Sequence, residues 1–268
     1  NFAHAHYNLG IILKDLDKLV EAELFTRKAI EIKPDFAYAH LNLGKILVGL
    51  EKLKEAEFYT RKAIALNPDF AQAYQNLYLI LLKCKNFNEG WDKYNKWRWK
   101  VENRKASIGI ELKTKKPEWN PSKRGSVLLW KEQGIGDQLL FCSMIPDLIN
   151  KIDRLIIKID CRLSPLLKRT YGNEIECKDS DETIDENEYD YHIAMGSLPK
   201  YLRASSEDFK NCNQIRLNTD QQRSNQLRQR YRKDGNKKLI GISWKSSSKD
   251  LKKSITLENI LTRIVSKN

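Results

Sequence analysis

An aspartate that follows two closely spaced glycines is the residue of this sequence best placed to do chemistry. Gly134, Gly136 and Asp137 lie between a short apolar run, Ser126 to Lys131, and a segment with apolar residues at helical spacing, Gln138 to Ile149. A strand that ends in a glycine turn and enters a helix brings backbone N–H groups to the carboxyl edge of a parallel sheet. Anionic ligands and sugars bind at this edge, so the turn predicts a ligand site.

Two residues near this edge also have purely structural interpretations. Asp137 stands in the first turn of the predicted helix, where an acid stabilises the helix dipole by about 0.3 to 1 kcal/mol. His192 stands at the end of a predicted strand, where an imidazole serves either catalysis or a buried hydrogen bond. The residue types leave both interpretations open.

Strands and helices alternate on both sides of the glycine turn, which is typical of a doubly wound α/β domain. Strands are predicted at Val127–Lys131, Arg154–Asp160, Ile175–Lys178, Tyr189–Ile193 and Leu239–Trp244. Helices are predicted at Gln138–Lys151, Leu163–Tyr171, Ser197–Arg203, Asp220–Lys233 and from about Thr256 to the end. An acidic loop from Asp179 to Glu188 is expected to face solvent.

The first hundred residues repeat with a period of 34. Phe2 to Asp35 and Phe36 to Asp69 are identical at about two thirds of their paired positions, and a third, divergent unit begins at Phe70. Each unit contains two helical patterns, and Pro34 or Pro68 ends the second helix. These units resemble the tetratricopeptide family, so an all-α solenoid is expected.

An asparagine recurs on the first helix of each unit, at Asn8, Asn42 and Asn76. The side-chain amide both donates and accepts hydrogen bonds, so such a ladder can hold the backbone of an extended peptide on the concave face. The units look like those of O-linked N-acetylglucosamine transferases, in which this position binds peptide. The alternative is that asparagine merely suits a polar groove.

The divergent third unit and the segment after it indicate how the two halves are joined. An aromatic stripe at helical spacing, Trp91, Tyr94, Trp97 and Trp99, is expected to dock on a neighbouring element. A basic connector punctuated by prolines follows over 104–124, with Trp119 as its anchor.

Composition excludes some functional classes. The net charge is +13, but Lys and Arg are spread along helices and form no single block, so nucleic acid is not the expected partner. No apolar run reaches the roughly 18 residues that a membrane span requires. The first residue, Asn1, enters almost directly into a repeat unit, which suggests a cut at this end.

Cysteine and histidine usage predicts no metal site and a cytoplasmic protein. The five cysteines are odd in number and far apart, so reduced, buried thiols are expected. His4, His6 and His40 recur with the repeat and are expected to be solvated. A D-x-D pair at Asp179 and Asp181 falls in the acidic loop and not at a strand end.

Four motifs carry a second family resemblance. They are KEQGIGDQLLF (131–141), IDCRLSPLL (159–167), YDYHIAMGSLP (189–199) and IGISWKSSSKDLKKSITL (240–257). They look like bacterial tetratricopeptide-linked glycosyltransferases, whose catalytic half is similar to the lipopolysaccharide heptosyltransferases. The resemblance implies a GT-B enzyme with two Rossmann-like lobes, the first for the acceptor and the second for a nucleotide sugar.

The resemblance also implies a role for individual residues. Asp137 matches the proposed base, and the acceptor cleft would contain Lys131, Gln133, Gly134, Gly136, His192 and Ser197. Donor phosphate would be held by Trp244, Lys245, Ser246 and Lys252, although a solvated loop rich in Lys and Ser is the competing interpretation. The nucleotide sugar is a substrate, and no cofactor is implied.

The resulting organisation is a repeat region (1–103), the connector (104–124), a first Rossmann-like lobe (125–237) and the start of a truncated second lobe (238–268). A nucleotide-binding lobe needs about 100 residues or more, and only about thirty follow Lys238. We therefore expect weak nucleotide-sugar binding and no turnover by the chain as given. Two functions remain open: a glycosyltransferase whose repeats recruit a peptide or protein acceptor, and a peptide-binding scaffold with an idle α/β domain.

Overall fold

The computed structural model describes residues 2–100, 112–213 and 217–231, with the side chain of Lys100 excepted. A first compact unit ends at Asn218, and a second begins at Thr219. The predicted strand Leu239–Trp244, the predicted helix from Thr256 and the four predicted donor-phosphate residues lie outside the described residues. Those four are Trp244, Lys245, Ser246 and Lys252.

Three helical hairpins form the repeat region and confirm the predicted all-α solenoid. Their helices are α1 (Phe2–Asp15), α2 (Leu19–Ile32), α3 (Ala37–Gly49), α4 (Leu53–Leu66), α5 (Ala71–Lys83) and α6 (Phe87–Trp97). Small residues allow the helices to approach closely, since Ala22, Ala29, Ala56 and Ala63 are completely buried. The turn inside each hairpin contains a left-handed residue at the same repeat position: Asp17, Glu51 and Lys85.

Polar side chains link successive hairpins in a repeating pattern. The Thr26 hydroxyl donates to the Ala22 carbonyl (2.7 Å) and accepts from the Asn42 amide (3.3 Å). One unit later, Thr60 donates to Ala56 (2.7 Å) and accepts from Asn76 (2.8 Å). The threonine thus satisfies its own helix and holds the first helix of the next unit.

Four parallel strands form one sheet in the order β3-β2-β1-β4. They are β1 (Ser126–Trp130), β2 (Arg154–Ile159), β3 (Ile175–Asp179) and β4 (Tyr191–Ala194). β1 is central: its Leu128 is in register with Ile156 on one side and with His192 on the other. The crossovers contain α7 (Ile135–Phe141), α8 (Ile145–Ile149) and α9 (Ser164–Tyr171), followed after β4 by α10 (Pro199–Leu202) and α11 (Ser206–Lys210).

The parallel α/β domain was predicted, but several element boundaries differ. The single helix predicted over Gln138–Lys151 is divided by a 3-10 turn at Cys142–Met144, because Pro146 lacks an N–H and its ring clashes with the carbonyl four residues earlier. Pro199 similarly separates a 3-10 turn at Met195–Ser197 from α10. The helix α11 had no counterpart in the prediction.

The core of the sheet explains why the connector is ordered where it meets the strands. Trp119 is completely buried, its backbone N–H donates to the His192 carbonyl (2.8 Å), and its indole donates to the Lys123 carbonyl (3.1 Å). The anchoring role expected of Trp119 is therefore present. The acidic loop that follows β3 is mostly exposed, as predicted.

Two sequence-based expectations about burial are wrong. All five cysteines are free thiols, but Cys84 and Cys161 are exposed and not buried. His40 is completely buried, since its ring stacks on Tyr59 of α4 (centroids 5.9 Å apart) and its Nε2 lies 2.8 Å from the Pro34 carbonyl.

The described part of the second unit is one helix, α12 (Gln221–Tyr231), none of whose residues is buried. Its bounds lie close to the predicted Asp220–Lys233. Among the described residues, every helix is too short or too polar to cross a membrane.

Candidate functional site

A groove runs along the first helices of the repeat units. It encloses a cavity of about 200 Å³. Its walls are aromatic, aliphatic and amide side chains with two lysines, namely Tyr7, Ile11, Lys14, Tyr38, Leu41, Asn42, Lys45, Phe70 and Gln72. Tyr38 packs against Phe70 with ring centroids 4.7 Å apart, so part of the wall is a continuous aromatic surface.

The two lysines make the groove electropositive. Surrounding protein atoms and the like charge of Lys14 lower the pKa of Lys45 below the usual lysine value. Lys14 pairs with Asp15 (3.2 Å), whereas Lys45 has no acidic partner among the described residues. An incoming carboxylate would therefore meet an ammonium group that the protein leaves uncompensated. Burial and the neighbouring Tyr38 raise the pKa of Tyr7, so its phenol stays neutral and able to donate a hydrogen bond.

The asparagine ladder occupies two kinds of environment. Asn8 is exposed, while Asn42 and Asn76 are buried and donate their amide N–H groups to Thr26 and Thr60. Of the three, Asn42 lines the groove cavity. Two members of the ladder thus help to hold adjacent units together, a role that the sequence pattern did not reveal.

The glycine turn leaves Asp137 exposed at the start of α7. Gly134 precedes the helix in an extended conformation, and a Cβ atom there would lie 3.9 Å from an Asp137 carboxylate oxygen. A Cβ on Gly136 would meet no atom within 4 Å. Half-buried Lys131 donates its backbone N–H to Lys158 at the end of β2 (3.0 Å). Neither position is crowded enough to exclude a side chain, so space for a ligand remains beside the turn.

Residues just before the glycines face the repeat region instead. Glu132 is 3% exposed, accepts from the Gly196 backbone N–H (2.9 Å) and pairs with Arg98 (3.2 Å). The Gln133 amide donates to the Tyr94 hydroxyl. Burial raises the pKa of Glu132, although the nearby Arg98 charge acts in the opposite direction.

Glu132 was not predicted to matter. The one sequence signal was an acid directly after a buried strand. We call Tyr94, Arg98, Glu132, Gln133, Gly196 and Ser197 the interface cluster, because they join the third repeat to the sheet.

The predicted cleft residues fall in two places. His192 and Ser197 line a cavity of about 110 Å³ between the third repeat and the sheet, and Asp137 is not among its lining residues. The Nδ1 atom of His192 accepts from the Trp130 indole (3.2 Å). Ser197 donates to the Asn95 side chain (2.7 Å) and accepts from Arg98 (2.8 Å), so its hydroxyl already serves the interface.

The acidic loop offers no ready metal site in the described part of the chain, where no three potential ligands cluster. An Asp179 carboxylate oxygen instead accepts from the Ser180 backbone N–H (2.7 Å). Asp185 and Glu188 form a capping box for a short 3-10 turn. These acids therefore organise the loop itself.

Comparisons with known families identify the repeats. Tetratricopeptide-repeat models match residues 3–36 and 37–70, so these two segments are tetratricopeptide repeats. A curated relative, Protein FlbA of Caulobacter vibrioides, is 27% identical over 137 residues, which are 45% of this chain and 22% of that protein. The chain thus spans about a fifth of the length of this relative.

Solved structures give partial likenesses. The first tetratricopeptide domain of Spaghetti (RPAP3) bound to the HSP90 peptide SRMEEVD is 20% identical, with a TM-score of 0.37; the match covers 38% of this chain and 83% of that one. The TPR2B domain of yeast Sti1 in its Hsp70 complex is 20% identical with the same TM-score, over 39% and 86%. MamA is 26% identical with a TM-score of 0.35, over 42% and 61%.

Proposed function

We propose that the repeat region binds an extended, carboxylate-bearing peptide in the groove between Lys14 and Lys45. The observation that carries the proposal is the uncompensated ammonium group of Lys45 beside a second lysine. A carboxylate placed between them would relieve their repulsion and form charge-assisted hydrogen bonds. The aromatic wall offers apolar contact to the side chains on either side. The amide N–H group of Asn42 already donates to Thr26, so its carbonyl oxygen is the atom that would accept from the peptide backbone.

Fluorescence anisotropy with a labelled decapeptide rich in Asp and Glu tests this proposal. Replacing Lys45 by Ala should weaken binding about tenfold, because each charge-assisted contact contributes more than a neutral one. Asn42→Ala should also weaken it. The matched control is Lys28→Ala on α2, which should leave affinity unchanged. Equal binding of the Asn/Gln counterpart of the peptide would remove the carboxylate preference and with it the proposal.

A second candidate function is glycosyl transfer by the whole protein, with Asp137 as the base. The specific observation in its favour is the exposed Asp137 carboxylate directly beyond the carboxyl end of the central parallel strand, next to an uncrowded glycine turn. A base at this edge could take the proton from an acceptor hydroxyl as the sugar is transferred. The peptide groove would then recruit the acceptor.

Transfer by the whole protein from a panel of nucleotide sugars tests this second function. Asp137→Asn should reduce the rate by about 10² to 10⁴, the usual contribution of a general base. Asp181→Asn, in the exposed acidic loop, is the matched control. Unchanged transfer by Asp137→Asn would eliminate Asp137 as the base, while no transfer by the unmodified protein would favour a peptide-binding scaffold.

A further inference from the structure

An apolar cleft lies between the third repeat and the helices that follow β1 and β4. Its volume is about 490 Å³, within the range of cavities that hold small organic ligands. The apolar walls come from Trp91, Leu140, Phe141, Met144, Pro199 and Phe209. We call this space the apolar cleft.

Two of the apolar side chains that line the cleft are exposed to water. Leu140 is 65% exposed and Phe209 is 45% exposed, although both are large apolar side chains on ordered helices. A hydrocarbon group placed between them would remove their surface from water, at roughly 25 cal/mol for each Å² buried. The cleft is therefore suited to an apolar ligand group.

A polar recess adjoins the apolar cleft. It has a volume of about 330 Å³ and shares Arg203, Cys212 and Asn213 with the cleft as common walls. Its other lining includes Lys151, Asp147 and Asp208. A molecule that extends past the shared wall would thus have one end in hydrocarbon and the other among charged groups.

The polar recess offers one cation without an acidic partner to a ligand. Asp147 already accepts from Arg203 (2.8 Å) and from the Asn213 backbone and side chain (3.1 and 2.7 Å). Asp208 accepts from the Ser205 backbone N–H in the capping box of α11. Lys151 is exposed and has no acidic partner in the described ranges. Because Arg203 is paired with Asp147, the ammonium group of Lys151 is the cation in the recess that is left to a ligand.

We propose that the apolar cleft and the polar recess together bind a single-chain amphiphile with an anionic head group. The alkyl chain lies between Leu140, Phe209 and Trp91, and the head group meets Lys151. The proposal is independent of peptide binding and of sugar transfer, because it uses none of the groove residues and not Asp137.

Isothermal titration with dodecanoate and with dodecyl phosphate, both below their micelle concentrations, tests this site. We expect one molecule of probe per chain. Ser143→Trp fills the cleft from its wall and should weaken both probes at least about tenfold, a loss of about 1.4 kcal/mol. Leu140→Gln is the second variant in case Ser143→Trp does not fold; it replaces exposed hydrocarbon and should also weaken binding. Lys151→Glu should weaken the two anions but not neutral dodecanol.

Several outcomes would overturn the proposal. Unchanged affinity in Ser143→Trp or Leu140→Gln would place the probes elsewhere on the protein. Equal binding of dodecyltrimethylammonium would eliminate the anionic head group. If neither probe bound and the protein self-associated in a way that Leu140→Gln abolished, the cleft would instead be assigned to a second copy of the chain. Val20→Glu, on the exposed apolar face of the first repeat, is the control and should change nothing.

Discussion

Arg98 and Glu132 form an ion pair with almost no access to water: their side chains are 2% and 0% exposed and their charged atoms are 3.2 Å apart. Arg98 comes from the end of the third repeat, and Glu132 lies two residues beyond the end of β1. The guanidinium also donates to Ser197 (2.8 Å) and lies over the Tyr94 and Trp99 rings. The pair therefore fixes the repeat region against the sheet.

Removing one partner of this pair should be costly. Glu132→Ala leaves a buried, uncompensated guanidinium and should lower the free energy of unfolding by about 3 to 5 kcal/mol. Urea unfolding followed by circular dichroism measures the change. The control is Glu89→Ala, which breaks the exposed Arg61–Glu89 pair (2.9 Å) and should cost about 1 kcal/mol or less. Similar losses in both variants would contradict the structural role of the buried pair.

Gly196 should be irreplaceable at the same interface. A Cβ atom there would overlap the Glu132 carboxylate and lie 2.7 Å from both Arg98 and the Tyr94 hydroxyl. Since these groups are buried and hold one another, Gly196→Ala should force them apart and destabilise the protein by about 1 to 3 kcal/mol. Limited proteolysis should then cut the connector faster than in the unmodified protein. Gly136→Ala, whose Cβ meets nothing within 4 Å, is the control and should keep the original cleavage rate.

A glycine inside the repeats allows a different test of close helix packing. A Cβ on Gly44 would overlap the Thr60 hydroxyl and lie 3.2 Å from the Asn76 amide nitrogen. Gly44→Ala should therefore break the Asn76–Thr60 hydrogen bond and lower the melting temperature. Adding Thr60→Ser, which removes only a methyl group, should not rescue it, because the overlap is with the hydroxyl. Rescue by Thr60→Ala would confirm the overlap, and an unchanged melting temperature in Gly44→Ala alone would contradict it.

The sequence predicted elements whose signals are local. The 34-residue period and the apolar runs are repeated or contiguous patterns, so they located the helical hairpins and the four parallel strands within a few residues. The predicted helix boundaries were wrong where a single proline interrupts a helix, as at Pro146 and Pro199. The aromatic stripe correctly indicated that the third repeat docks on a neighbour.

The interface cluster could not be predicted, because its contacts join residues far apart in sequence. Arg98 donates to the Ser197 hydroxyl across 99 positions (2.8 Å), and the Gly196 backbone N–H donates to the Glu132 carboxylate across 64 positions (2.9 Å). No periodicity reports such a pairing. For the same reason the sequence could not show that Glu132 faces inward while Asp137, five residues later, faces solvent.

The buried His40 should make stability depend on pH below neutrality. Burial, together with the charge of Lys62, lowers the pKa of His40 below its usual value of 6.5, while its bond to the Pro34 carbonyl opposes the shift. The native state therefore binds fewer protons than the unfolded state once the pH falls below about 6.5. The free energy of unfolding should decline from that pH downward, by at most about 1.4 kcal/mol per pH unit.

Urea unfolding of the unmodified protein and of His40→Gln between pH 7.5 and 5 measures this contribution. Glutamine keeps a donor for the Pro34 carbonyl but does not titrate, so the variant should lose part of the decline. His6→Gln, at the same position of the first repeat but only half-buried, is the matched control and should leave the contribution of His40 in place. Identical pH dependence in the unmodified protein and His40→Gln would show that His40 is protonated equally in both states, against the burial that the structure assigns to it.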